Sequence, residues 1–270
     1  MTSLLARTAE DLRRSGAIAV VPFLTAGYPD APTSRRLLAE AAAAGCRLVE
    51  IGVPFSDPVA DGPAIQLASR RALDGGMTLA GALELARHAA RDLHLVPVVM
   101  GYLNPVLAFG PARFAAACAA AGVAGVIVPD LPLEEAAGLR AVLREHGVDL
   151  VDLVAPTSGP ERLAAYGRQA AGFLYLVSTT GVTGAGVGQD ITGYAARVRA
   201  HCGLPLYVGF GIGDAASAVR VAAAADGVII GSALQRLVAG AASPDAAVAA
   251  VGAFLREIVA AVAGVRRDSG

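Results

Sequence analysis

The sequence at residues 48–63 is LVEIGVPFSDPVADGP, and it contains a strand and the loop that follows it. The apolar residues around Glu50 favour a strand, whereas the Gly, Pro, Ser and Asp after them are typical of a loop. A carboxylate inside an apolar strand must be hydrogen-bonded, paired or used in chemistry. Asp61 adds a second carboxylate at the far end of the loop. Two acids in different surroundings are what acid–base catalysis needs.

Short apolar runs like this one recur along the chain and alternate with alanine-rich stretches that have helical character. Eight runs are predicted to be strands: Ile18–Phe23, Leu48–Ile51, Val96–Met100, Gly125–Pro129, Leu150–Ala155, Phe173–Ser178, Leu206–Phe210 and Gly227–Ile230. The segments predicted to be helical between them are Thr33–Ala44, Leu79–Asp92, Ala112–Ala121, Leu133–His146, Pro160–Ala170, Asp190–His201 and Asp214–Ala225. Met1–Gly16 is predicted to form an extra helix before the first strand, and Ala246–Arg267 a closing helix.

This alternation predicts an α/β fold, a closed (β/α)8 TIM barrel with an extra N-terminal helix, and residues 1–270 as a single domain. Continuous apolar strands are typical of parallel strands buried on both faces. An open, doubly wound sheet is the alternative, and eight regular units make it the weaker one. Active sites of such barrels lie at the carboxyl ends of the strands, where we expect Glu50, Asp61, Asp130 and Tyr175.

Composition excludes several classes of function. The net charge is −1, which gives no electrostatic support for nucleic-acid binding. No uninterrupted apolar stretch reaches the length of a membrane span, and the charged first 15 residues do not match a signal peptide. Three scattered cysteines suggest a reducing compartment, so we expect a cytoplasmic protein.

The composition also excludes several kinds of catalytic group. The four histidines have no metal-binding spacing, so no metal site is expected. All 22 basic residues are arginines, and a chain without lysine cannot form a lysine Schiff base or use a P-loop lysine.

Three glycine-rich turns follow the last three predicted strands, at residues 181–184, 209–213 and 231–232. Glycine lets the backbone approach a ligand closely, and helix N-termini present free N–H groups. Barrels often bind phosphate after strands seven and eight, at the start of a small helix, and here Gly231 and Ser232 open a short segment at Ala233–Val238. We therefore expect a small phosphorylated ligand, although glycines that only turn the chain are the alternative.

With these turns in place, the chain resembles the tryptophan synthase alpha subunit family. The most specific match is the segment at residues 48–63. The other matches are Pro22-Phe23 with Thr25–Pro29, Tyr102 with Asn104-Pro105, Pro129–Pro132, Gly181–Gly184 and Gly209–Ile212.

The resemblance implies a carbon–carbon lyase that cleaves indole-3-glycerol phosphate to indole and glyceraldehyde 3-phosphate. This retro-aldol reaction proceeds by acid–base catalysis without a Schiff base or a metal. By the match, Glu50 is the acid–base residue, Asp61 accepts the indole N–H, and Tyr175 lies beside both. The match also implies substrate-binding residues, namely Phe23, Tyr102, Thr183, Gly184, Gly211, Gly231 and Ser232.

Structural roles are the alternatives for these residues: an ion pair with an arginine for Glu50, loop capping for Asp61 and core packing for Tyr175. One departure from the family is Phe173, which stands where many members have tyrosine. We expect it to leave the pocket short of a hydroxyl.

The family also implies a partner. A beta subunit with pyridoxal phosphate takes the indole and makes L-tryptophan in an alpha2beta2 heterotetramer, so no cofactor is expected in this chain. The residues expected at the interface are Pro54, Asp57, Pro58 and Asn104. Three alternatives stay open: a stand-alone lyase that releases free indole, a phosphate-binding barrel isomerase, and a barrel without activity that only activates a beta subunit.

Overall fold

A computed structural model describes residues 2–177, 191–209 and 211–265 of the 270-residue chain. Eight parallel strands close into a barrel in chain order, with the last strand paired to the first. This confirms the predicted fold class. The strands are β1 (Ala19–Thr25), β2 (Leu48–Gly52), β3 (Val96–Met100), β4 (Gly125–Ile127), β5 (Asp149–Val154), β6 (Leu174–Val177), β7 (Leu206–Gly209) and β8 (Gly227–Ile230).

Helices surround the barrel. The described helices are α1 (Leu4–Arg14), α2 (Ala31–Ala43), α3 (Pro63–Asp74), α4 (Leu79–Arg91), α5 (Leu103–Phe109), α6 (Pro111–Ala120), α7 (Ala137–Glu145), α8 (Pro160–Gln169), α9 (Ile191–Arg199), α10 (Ala215–Ala222), α11 (Ser232–Gly240) and α12 (Pro244–Val262).

Two of these helices, α3 and α5, were not predicted from the sequence. Each contains a proline near its start, at Pro63 and Pro105. Proline has no N–H to donate, but the first turn of a helix needs none there, so the residue is tolerated. The predicted helix at Leu133–His146 begins later, at Ala137, because residues 133–136 form turns instead.

Inward and outward side chains alternate along each strand, and this places Glu50 inside the barrel. In β2 the outer core contains Val49 and Ile51, whereas Leu48 belongs to the cluster inside the barrel. Glu50 is two residues after Leu48, so its side chain points to the same, inner side of the strand. It pairs in register with Phe23 of β1. The barrel is therefore a packed core into which Glu50 projects.

Helix α1 closes the amino-terminal end of the barrel, as the predicted extra helix. Leu5 is fully buried, and a Cβ atom at Gly125 would lie 2.6 Å from its Cδ2 atom. Ser3 caps the helix and also donates a short hydrogen bond to Asp149, at the start of β5. This end is sealed, so any substrate must enter at the opposite, carboxyl-terminal end.

Candidate active site

Glu50 is fully buried in β2, and neither of its carboxylate oxygens has a hydrogen-bond partner among the described residues. Burial raises the pKa of this carboxyl group to about 8. The arginine ion pair considered from the sequence is not seen in the described part of the chain. A carboxyl group that is protonated at neutral pH and has no structural partner is suited to proton transfer.

Asp61 lies in the loop between β2 and α3, and its backbone is fixed by two hydrogen bonds. Its N–H donates to the carbonyl of Pro58 at 3.0 Å, and its carbonyl accepts from the Gln66 side chain at 2.9 Å. Burial raises the pKa of the Asp61 carboxyl group to about 6, while a hydrogen bond from Tyr102 opposes that increase. Its side chain lines a cavity at the mouth of the barrel.

Tyr175 projects inward from β6 and is almost completely buried. Its hydroxyl group occupies the space that a Cβ atom at position 209 would take, so Gly209 is needed for close packing. Burial holds the pKa of the phenol well above its usual value, and the charges of Glu50 and Asp61 act in the same direction. Tyr175 therefore remains a hydrogen-bond donor beside both acids.

Asp61 and Tyr175 line a cavity with a volume of about 70 Å³, whereas the fully buried Glu50 is not among its lining residues. The residues that line it are Phe23, Asp61, Ile65, Met100, Tyr175, Gly211, Ile212, Ile229, Gly231 and Ser232. Four of them, Ile65, Met100, Ile212 and Ile229, were not singled out in the sequence. The only signal that could have identified them is their place at strand ends and in the loops between strands and helices.

One end of this cavity is built from backbone. Gly231 is the residue before α11 and has no side chain that could cap the helix. The N–H groups in the first turn of α11 therefore donate no hydrogen bond to a capping side chain. Gly211 has a φ of +77°, a left-handed conformation that favours glycine. Gly213 differs from its neighbours, because its N–H donates to the Ser217 hydroxyl at 3.1 Å.

Phe23 and Tyr102 occupy different places beside this site. Phe23 lines the cavity. A Cβ atom at position 52 would overlap its ring, so the ring can occupy this position only because residue 52 is glycine. Tyr102 does not line the cavity; it lies with Asp61 at a smaller adjoining space. Thr183 and Gly184, which the family match also implies, lie outside the described residues.

Phe173 is not part of this cavity, so the expected loss of a pocket hydroxyl was wrong. The residue lies just before β6, near the amino-terminal end of the barrel, and is fully buried. Its ring stacks on Tyr207, with 4.3 Å between the ring centroids. It therefore packs the lower core instead of facing the substrate.

A larger cavity, of about 630 Å³, opens between the loops that follow β4 and β5. Met100 lines both cavities, so the two adjoin at the barrel mouth. Arg162 at its wall forms an ion pair with Glu134, with 2.7 Å between Nη1 and Oε1. Asp130 also faces this space, but its carboxylate accepts the N–H of Leu103 at 2.9 Å.

The residues expected to contact a partner differ in their exposure. Asp57 and Asn104 are exposed and Pro58 is half-buried, whereas Pro54 is buried and offers little surface. Val59, in the same loop, exposes 82% of its surface, and this apolar residue was not singled out in the sequence.

No group of three or more His, Cys, Asp or Glu side chains in the described ranges is placed to hold a metal ion. Likewise, no helix in the described part of the chain is long and apolar enough to cross a membrane.

Comparison with known proteins gives a consistent result. Residues 9–263 match the family model described as tryptophan synthase alpha chain. The chain is 45% identical to the tryptophan synthase alpha chain of Chloroflexus aurantiacus, covering 97% of this chain and 99% of the relative. It is 47% identical to that of Acidiphilium cryptum, covering 98% and 99%.

Solved structures agree with these relatives. A structure of Mycobacterium tuberculosis tryptophan synthase superposes with a TM-score of 0.89 at 39% identity, covering 97% of this chain and 99% of that chain. The tryptophan synthase alpha chain of Legionella pneumophila superposes with a TM-score of 0.88 at 33% identity, covering 97% and 98%.

Proposed function

Because the chain belongs to the tryptophan synthase alpha chain family, whose reaction is the cleavage of indole-3-glycerol phosphate, we propose that Glu50 and Asp61 carry out that cleavage here. The observation that supports these roles is the burial of Glu50, without a described partner, at the end of the barrel where Asp61 lines a cavity. The family assignment removes the isomerase alternative.

Two proton transfers make up the proposed reaction. Protonated Glu50 gives its proton to the indole ring carbon that bears the side chain, and a positive charge develops on the ring nitrogen. Ionised Asp61 accepts the indole N–H and stabilises that charge. Glu50, now a carboxylate, removes the proton from the neighbouring hydroxyl group as the carbon–carbon bond breaks. Indole and glyceraldehyde 3-phosphate result, and Glu50 regains its proton.

The pKa values of the two acids suit these roles. At neutral pH a group with a pKa of about 8 is mostly protonated, and one with a pKa of about 6 is mostly ionised. Tyr175 stays protonated between them and helps to hold the reacting groups in place. The N–H groups at Gly211, Gly231 and Ser232 are proposed to bind the phosphate, since helix N-termini favour anions.

The size of the cavities indicates where the substrate lies. Small-molecule sites usually enclose about 300–1,000 Å³, so the cavity of about 70 Å³ is too small for the whole substrate. The adjoining space of about 630 Å³ meets it at Met100. We propose that the substrate extends from the phosphate end, past Phe23 and Met100, toward that larger space.

Replacing Glu50 tests this proposal. We expect Glu50→Gln to lower kcat/KM for indole release by about 10²- to 10⁴-fold, the usual worth of a general acid–base group. The same change at Glu257, an exposed residue of α12, is the matched control and should leave activity unchanged. A Glu50→Gln variant as active as the Glu257→Gln control would overturn the assignment and revive the reading of a barrel without catalysis.

The partner of this family is the beta subunit, which holds the pyridoxal phosphate; alpha chains need no cofactor. We propose an alpha2beta2 heterotetramer, with contacts from Asp57, Pro58 and Asn104 and little from buried Pro54. Indole release measured with and without a purified beta subunit separates this from a stand-alone lyase. Release that rises with the partner supports the heterotetramer, and equal release supports the stand-alone enzyme.

Two further proposals concern the chain as a whole. We propose that residues 1–270 form one domain, because the closing helix α12 packs against α2, α10 and α11, on both sides of the junction between β8 and β1. We also propose that the protein is cytoplasmic, as its three scattered cysteines suggest.

A further inference from the structure

Tyr102 lies where three loops at the mouth of the barrel meet. It is the residue before α5, yet its side chain does not cap that helix. Asp130, from the loop after β4, supplies the cap by accepting the N–H of Leu103 at 2.9 Å. The Tyr102 side chain is therefore free to interact with the loop after β2, while the backbone of the next residue, Leu103, is tied to the loop after β4.

The phenol of Tyr102 contacts the loop after β2 at two points. Its ring stacks on Phe55, with 5.2 Å between the centroids and 29° between the planes. Its hydroxyl oxygen accepts the N–H of Ala60 at 3.0 Å. Tyr102 is itself buried, and it lines one small space together with Asp61. The loop is thus fixed near its start and immediately before the acid.

This geometry leaves the phenolic proton available to a second partner. A hydroxyl group has one proton to donate, and the Ala60 N–H already uses the oxygen as an acceptor. Asp61, the next residue, lines the same small space as Tyr102, and a hydrogen bond from the phenol lowers the pKa of its carboxyl group. A hydrogen bond to an ionised group is about twice as strong as one between neutral groups.

We propose that Tyr102 is a positioning residue, which holds the Asp61 carboxylate in place through its hydroxyl group; this rests on the role proposed above for Asp61. The sequence match implied a substrate-binding residue instead. The ring is beside the pocket, but the polar end of the side chain is engaged with the loop and its acid.

The surroundings of Asp61 explain why it needs such a donor. Burial is the largest effect on its pKa and favours the neutral form. The titratable groups that interact with it are Tyr102 and, on β6, Tyr175, and each of these also interacts with a further acid, Asp130 after β4 and Glu50 on β2 respectively. No arginine or histidine lines the two small cavities within the described residues. Of the described side chains, the Tyr102 hydroxyl is the one that stabilises the carboxylate.

The test is the pH profile of kcat/KM for indole release from indole-3-glycerol phosphate. Tyr102→Phe keeps the ring and its stacking on Phe55 and removes only the hydroxyl. We expect the acidic limb of the profile to move up by about one pH unit, with a loss of about tenfold on that limb and a much smaller loss at higher pH. Tyr194→Phe is the matched control, because it removes a buried hydroxyl that donates to the Val154 carbonyl at 2.7 Å on the outside of the barrel.

A double-mutant cycle shows whether Tyr102 acts through Asp61. Tyr102→Phe should add little to the loss caused by Asp61→Asn, because the acid that the hydroxyl serves is already gone. An equal loss at every pH, or full additivity with Asp61→Asn, would overturn the inference and leave Tyr102 as packing. If Asp61→Asn alone retains wild-type activity, the proposed function itself fails and the inference fails with it. If Asp61→Asn is impaired and Tyr102→Phe behaves like Tyr194→Phe, only the inference fails.

Discussion

Replacing Glu50 should change the pH dependence of stability as well as activity. The carboxyl group is fully buried, its pKa is raised from 4.5 to about 8, and it has no hydrogen-bond partner among the described residues. Between these two values the folded protein holds a proton that the unfolded chain releases. Stability must therefore fall as the pH rises through this range.

The size of this effect follows from the pKa difference. Each pH unit between the unfolded and folded values costs about 1.4 kcal/mol. Full ionisation of Glu50 in the unfolded chain therefore lowers the free energy of unfolding by about 5 kcal/mol by pH 8, and by about 3 kcal/mol at pH 7. The cost is complete above the folded pKa of about 8 and absent below 4.5. This loss is a large part of the free energy of unfolding of an ordinary domain.

Urea unfolding of the wild type and of Glu50→Gln, followed by circular dichroism between about pH 5 and pH 8, measures this difference. Glutamine does not titrate, so the stability of the variant relative to the wild type should rise by about 1.4 kcal/mol for each pH unit. Other titrating groups cancel in the comparison. Glu257→Gln, at an exposed position, should follow the wild type throughout. Parallel pH dependence in all three proteins would show that Glu50 is ionised and partnered, and would refute the reasoning.

Two other variants test the packing and the partner surface. Gly209→Ala should lower kcat/KM by more than about tenfold, because its methyl group would overlap the hydroxyl of Tyr175 and displace it from Glu50 and Asp61. Gly138→Ala, where a Cβ atom meets nothing within 4 Å, is the control and should retain activity. Val59→Ser should weaken binding to a beta subunit in a titration followed by light scattering, with basal indole release unchanged, because its side chain is 82% exposed; unchanged affinity would place the partner elsewhere.

The barrel was predictable because its signal is local and repeated. Each strand is a continuous apolar run, as at Val96–Met100. Such a run is the expected sequence pattern of a parallel strand that is buried on both faces. The helices α3 and α5 were missed because Pro63 and Pro105 suggest breaks when the start of the helix is not known. Local patterns therefore predict the repeating units better than the short helices inserted between them.

The site was only partly predictable, because its contacts join distant parts of the chain. The acid of the apolar strand was visible as a local anomaly at Glu50. The contact between Ala60 and Tyr102 spans 42 residues, and that between Leu103 and Asp130 spans 27. No local pattern reports such pairs. The position of Phe173 was also misjudged, because Phe173 and Tyr175 both project into the barrel and only their depth along the strand separates the lower core from the cavity.

Burial gives the two acids different roles, and the fold sets the depth of each. Glu50 belongs to the strand itself, where neither water nor a described partner stabilises its charge, and its pKa rises to about 8. Asp61 lies at the end of the loop, where a hydrogen bond from Tyr102 opposes the effect of burial, and its pKa is about 6. Because the two values fall on either side of neutrality, one acid is protonated while the other is charged. The reaction requires this pair of states at once, so kcat/KM should be greatest between about pH 6 and pH 8 and fall on both sides.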